Sequence, residues 1–171
     1  LKKGIEKNRG IQSNWHNMTF KKMRSKIPRE SLHLDYACGP GTFIGLYGLK
    51  NSKGMDISEE QIKFANNKYG HLGKFEVIKP ETLSNIKDEY EIITVIGLLE
   101  FINDDEILTI IENLSKVLKQ NGKILFTTPN YGGMMLFLEK LLNIFGDVNY
   151  KNQHINRFTK QNLEKLLKKS N

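Results

Sequence analysis

A chain of 171 residues with 39% hydrophobic content is long enough for one domain with a real core, and nothing in it calls for a split. Its single cysteine, Cys38, excludes a disulfide framework and a cysteine-rich metal site, and no apolar run reaches the roughly 18 residues of a membrane span. The first residues lack the apolar core of a signal peptide, so a cytoplasmic protein in a reducing compartment is expected.

The charge is concentrated at the start. Within residues 1–31 nine Lys or Arg stand against Glu6 and Glu30, which accounts for the whole formal net charge of +7. Such an arm suits nucleic acid, acidic lipid head groups or an anionic substrate, or is simply a solvated helix face. Ile11, Trp15, Met18, Met23 and Ile27 recur at spacings that suit one helical face ended by Pro28, so a leading helix is expected. It would act as a lid, with Trp15 and His16 near the mouth of a ligand site.

Leu32, Leu34 and Tyr36 then alternate as a short strand running into a turn with Gly39, Pro40 and Gly41, and Thr42 to Leu49 is compatible with helix. Glycine in such a turn takes positive φ and lets a ligand approach the main chain. The spacing is not the G-x-G-x-x-G of a pyrophosphate cradle, because the next glycine, Gly45, comes four residues after Gly41. Lys53 to Ile57 reads as a second strand, and Ser58 to Gln61 as a capping box opening a helix to about Tyr69. Asp56 therefore ends a strand, where one carboxylate can accept from both hydroxyls of a ribose.

Phe75 to Ile78 is the third strand; Lys79 and Pro80 follow, and proline offers no N–H to an adenine ring. The β-branched run Tyr90 to Ile96 closes in Gly97. Asp104 and Asp105 suit the first turn of a helix to about Lys119, striped by Ile107, Leu108, Ile111, Leu114, Val117 and Leu118. A turn at Gln120, Asn121 and Gly122 leads into a fifth strand, Lys123 to Thr128. Residues 131–152 carry a wide apolar helix, and a last helix begins near Thr159. Alternating strands and helices call for a parallel sheet with its ligand crevice at the carboxyl ends of the strands.

Asp35, Ala37, Gly39 and Gly41 spell Asp-x-Ala-x-Gly-x-Gly, which resembles motif I of the class I S-adenosylmethionine-dependent methyltransferases, usually Asp-x-Gly-x-Gly-x-Gly. Leu118 to Lys123 followed by Thr128-Pro129-Asn130 is similar to that family's link and fifth strand, and His154 to Thr159 to its lead into the last helix. The resemblance implies an α/β, Rossmann-like three-layer sandwich with a mostly parallel sheet of order 3-2-1-4-5. The family's last two strands would be missing and the chain a fragment truncated at its C-terminus. Residues 1–31 would be the basic helical arm or lid, and residues 32–171 the methyltransferase domain, with 131–152 a helical insertion near the crevice.

The implied cofactor is S-adenosylmethionine, with S-adenosylhomocysteine as product, held by Asp35, Ala37, Cys38, Gly39, Gly41, Asp56, Ile57 and Gly97. No metal is implied. Where relatives commonly read Leu-Glu-His, this chain has Leu99, Glu100 and Phe101, so a base at that His is vacant. The catalytic residues stay unassigned, with His154 and His16 as candidates by position beside the crevice. The acceptor is read as a small molecule or a lipid- or saccharide-linked one, and a lipid surface would also suit the wide apolar helix and the basic arm.

Three other readings share the fold. A nucleic-acid methyltransferase would use the arm, but the Pro-Pro-aromatic signature is replaced by Gly97-Leu98-Leu99-Glu100, and no aromatic ladder accompanies the lysines. A nicotinamide oxidoreductase has a different glycine spacing. A binding module without chemistry stays open.

Overall fold

The computed structural model describes residues 11–79, 83, 85, 90–133, 135 and 154–170. The 131–152 insertion therefore lies outside the described residues except for 131–133 and 135, as do Pro80, Glu81, Thr82 and the side chain of Trp15.

In chain order the elements are α1 (Ile11–Arg24), β1 (His33–Tyr36), α2 (Thr42–Tyr47), β2 (Ser52–Asp56), α3 (Glu59–Tyr69), β3 (Lys74–Val77), β4 (Tyr90–Ile96), a 3-10 turn (Leu99–Phe101), α4 (Asp104–Lys116), β5 (Leu118–Thr127) and α5 (Lys160–Leu167). The five strands form one sheet of order β3-β2-β1-β4-β5, as the resemblance implies. Every pairing is parallel.

Both faces of the sheet are covered, which is why β1 is buried along its whole length. On one face Phe20, Met23, Phe43, Ile44, Ile62, Ala65 and Tyr69 bring α1, α2 and α3 onto Phe75 and Ile92. On the other, Leu34, Tyr36, Met55, Ile93 and Val95 pack with Leu114 and Val117 at the end of α4. Phe158 and Leu166 join Leu99 and Ile107, so α5 docks beside α4.

Several boundaries differ from the sequence reading. Leu32 is exposed and outside β1. The buried residues of α1 include Phe20 and Met23, followed by Ile27, and their spacing turns Met18 outward, 64% exposed. The fourth helix stops at Lys116, and β5 already begins at Leu118. Gln120 to Gly122 then forms an irregularity inside that strand, where the register shifts between Tyr90 and Ile92 and Asn121 takes φ 66°.

The caps also differ. Ser58 accepts from the Gln61 N–H, but its own N–H goes to Asp56 Oδ1 at 2.9 Å, so the carboxylate replaces Gln61 in closing the box. Asn103 and Glu106 make the complete box of α4. No helix among the described residues is long and apolar enough to cross a membrane.

Candidate functional site

The strand order reverses between β1 and β4, so the crevice at a topological switch point opens above their carboxyl ends. Tyr36 leads out of β1 into Ala37, Cys38 and Gly39, and Ile96 leads out of β4 into Gly97. The turn after β1 is tied to β2 by Cys38 N–H donating to Met55 O at 3.0 Å and closed on itself by Gly41 N–H donating to Cys38 O at 3.1 Å.

Ala37, Gly39 and Gly41 take φ of 59°, 53° and 69°. The left-handed conformation at Ala37 accounts for the glycine usual there, since a Cβ costs roughly 1–2 kcal/mol in that region. We expect Ala37→Gly to raise stability by about 0.5–1 kcal/mol, net of the extra freedom glycine gives the unfolded chain. A urea midpoint that stays put or falls would count against this strain.

The two glycines have different reasons. A Cβ on Gly41 would stand 2.5 Å from the Phe75 ring, so the fold itself requires this glycine. A Cβ on Gly39 would meet nothing within 4 Å, which leaves open backbone facing the crevice. Cys38 turns the other way: its thiol is buried, and burial raises its pKa, so it is an inert packing group beside Gly54.

Asp56, at the end of β2, accepts from Gly39 N–H at 2.8 Å through Oδ2 and from Ser58 N–H through Oδ1. It thus fixes the glycine turn against β2, a duty the sequence reading did not foresee. Each oxygen spends one lone pair there and keeps one for a ligand. Ile57, next to it, lies outside β2 and is 68% exposed at the rim of the crevice.

Asp35 is fully buried at the heart of β1, where Thr94 Oγ1 donates to its Oδ1 at 2.6 Å. Burial, opposed by that bond and reinforced by Asp56, raises its pKa from 3.8 to about 7. Behind Thr94 stands His33, with Nε2 at 2.8 Å from Thr94 Oγ1 and Nδ1 at 2.8 Å from Ser52 Oγ. Burial, with Arg24 adding to it, lowers the His33 pKa from 6.5 to about 3, so the ring is neutral.

The proton positions follow. Thr94 gives its one proton to ionised Asp35, so Nε2–H must donate to Thr94 and Nδ1 must accept from the Ser52 hydroxyl. With Asp35 protonated on Oδ1, every bond in this chain across β2, β1 and β4 reverses. Sequence reasoning found Asp35 but not His33, Thr94 or Ser52, although a His and a Thr inside two strands buried on both faces were the available signal.

On the β4 side, Gly97 takes φ 67° and its missing Cβ faces Glu100 Oε1 at 3.6 Å. Glu100 is 4% exposed. Its Oε2 has no hydrogen-bond partner among the described residues, and neither does the buried Thr128 Oγ1. Burial raises the carboxyl pKa, opposed in part by its own amide, the nearby Thr128 hydroxyl and the His154 ring.

His154 is brought here by strapping: Ile155 and Asn156 N–H donate to Glu100 O at 2.8 and 3.2 Å, and Asn156 Nδ2 donates to Ile102 O at 2.7 Å. Its Nδ1 lies 2.8 Å from the Tyr131 hydroxyl, and its ring is 5.2 Å from that of Phe101. His154 therefore stands against the residue that occupies the usual His position. His16, the other candidate, is partly buried against Phe20, and burial lowers its pKa. A depression lined by Lys26, Glu30, Glu91 and Lys123 lies at the opposite, amino end of the sheet and holds none of the motif residues.

A family model described as a methyltransferase domain matches residues 15–171. No curated protein sequence matches the chain. Among solved structures, magnesium protoporphyrin IX methyltransferase from Synechocystis PCC 6803 with bound S-adenosylhomocysteine is similar at a TM-score of 0.66 and 17% identity, over 91% of this chain and 72% of that one. A SAM-dependent methyltransferase from Archaeoglobus fulgidus has a TM-score of 0.68 and 20% identity over 90% and 67%. A possible histamine N-methyltransferase from Thermotoga maritima has 0.66 and 16% over 88% and 67%. At these identities the structural likeness speaks for the fold alone.

Proposed function

This chain belongs to the methyltransferase-domain family, and we propose that it transfers the methyl group of S-adenosylmethionine to a small-molecule acceptor in the crevice between β1 and β4. The observation that carries the reading is the turn after β1, whose open Gly39 backbone is pinned by Asp56 at the tip of β2. When bound, S-adenosylmethionine supplies a methyl group already activated by its sulfonium. The chain's own work is then to align two partners and exclude water.

Asp56 holds the ribose with its remaining lone pairs, and the exposed side chain of Ile57 offers an apolar face to the adenine. Ala37, Cys38, Gly39 and Gly41 contribute main chain to the methionyl end, Asp35 sets the charge beneath it, and Gly97 closes the β4 side. For an acceptor that starts protonated, His154 is the better base: it lies beside Glu100 at the crevice, whereas the ring contact of His16 is with Phe20. The free Cys38 thiol fits a cytoplasmic setting.

The described part of the arm, from Ile11 on, serves the domain, because Phe20, Met23 and Ile27 share its core, and this favours a small-molecule acceptor over nucleic acid. The test is incubation with methyl-labelled donor and either a deproteinised small-molecule extract or RNA and DNA oligomers. Label is expected in the small-molecule fraction. Label in the oligomers, with binding that falls at a log–log slope of about −0.7 to −0.9 per phosphate contact and is lost when Lys2, Lys3, Lys7 and Arg9 are changed to Ser, would move the enzyme to a nucleic-acid substrate.

A further inference from the structure

A buried carboxyl with one oxygen that has no donor is costly, on the order of several kcal/mol when charged, and such a group calls for an explanation, a bound ligand among them. Glu100 is that group. It is 4% exposed, Oε2 lacks a partner, and Thr128 Oγ1 beside it is likewise unsatisfied. Packing does not require the carboxylate here, since the 3-10 turn is already held through the Glu100 backbone oxygen by Ile155 and Asn156.

The location narrows the ligand. Glu100 follows β4, one of the two strands flanking the switch point, and its Oε1 stands where Gly97 leaves side-chain space open. Around it are the rings of Phe101 and His154, with Tyr131 bonded to His154. A largely aromatic wall with an unpartnered acceptor oxygen suits a ligand that brings its own donor.

We propose, resting on the methyltransferase reading, that Glu100 faces the point of methyl transfer and that its Oε2 accepts a hydrogen bond from the O–H or N–H of the acceptor. The acceptor class is then an amine or a hydroxyl compound, not a carboxylate, which would bring a second anion to the buried one. Tyr131 and His154 line the same place and position the ring or chain that bears the donor.

The test needs no known acceptor. Sinefungin carries a primary ammonium on the carbon that replaces the methyl-bearing sulfonium, whereas S-adenosylhomocysteine has nothing there. Calorimetric titration of the full chain is expected to give at least ten-fold tighter binding of sinefungin than of S-adenosylhomocysteine, as a charge-assisted bond requires. Glu100→Gln is expected to remove that advantage while leaving S-adenosylhomocysteine affinity within about three-fold. Equal affinities in the wild type overturn the proposal even if E100Q does not fold, and so does an advantage that survives in E100Q. Loss of all binding in the wild type overturns the methyltransferase reading instead and takes this proposal with it.

Discussion

Thr94→Val is expected to lower folding stability by about 2–4 kcal/mol, because it deletes one hydroxyl and strands two buried partners at once. Asp35 Oδ1 loses its donor and His33 Nε2 loses its acceptor, while the branched shape that fills β4 is kept. A urea titration checks it, and a shift of under about 0.5 kcal/mol would show that the relay contributes nothing to the fold. Ser52→Ala should cost less, since only the outer end of the chain is cut.

The same relay sets a pH dependence with two opposed parts. From pH 3.8 to about 7 the folded chain keeps on Asp35 a proton that the unfolded chain has lost, so this group alone makes stability fall as pH rises. From pH 6.5 down to about 3 the unfolded chain holds on His33 a proton that the folded chain refuses, so this group alone makes stability fall as pH falls. Over the shared window the slopes cancel, each worth about 1.4 kcal/mol per pH unit. His33→Gln is expected to unmask the Asp35 slope between pH 4.5 and 6.5, with stability decreasing toward the higher pH. A variant as flat as the wild type would contradict the raised pKa of Asp35.

The second large effect belongs to Asp56. Asp56→Ala is expected to weaken S-adenosylhomocysteine binding by about 1.5–3 kcal/mol, roughly 10- to 150-fold, through loss of a two-point contact to the ribose. Because the carboxylate also holds Gly39 and Ser58, the variant should lose stability as well. Asp56→Asn separates the two: its one carbonyl oxygen can still pin the glycine turn, while a single acceptor remains in place of two. Because its NH2 faces one of the Gly39 and Ser58 N–H groups it should lose some stability, though less than Asp56→Ala, and bind about ten-fold more weakly. Undiminished binding in both variants would assign Asp56 to the turn alone.

The strands and helices were legible because local signals agree: a strand ending in an Asp-x-Ala-x-Gly-x-Gly turn, a β-branched run ending at Gly97, and caps opening the helices, while the strand order came from the resemblance to the methyltransferases. Asp56 was legible for a similar reason, since a carboxylate closing a strand tip is visible in one dimension. The His33, Thr94 and Ser52 relay was not, because its partners lie on three strands and meet only once register brings them side by side. Glu100 was hidden in the same way. Its missing partner is a property of packing, and the segment that brings His154 beside it comes from beyond β5. In the leading segment Met23 and Ile27 are buried as their spacing implied, and Met18 alone is turned outward, its place in the core taken by Phe20 against Phe43.

The most direct measurement is isothermal calorimetry of the intact chain with S-adenosylmethionine and S-adenosylhomocysteine at neutral pH. The account predicts one site for each at micromolar dissociation constants, about −8 kcal/mol, weakened by Asp56→Asn. A folded protein that binds neither compound at millimolar concentration would contradict it.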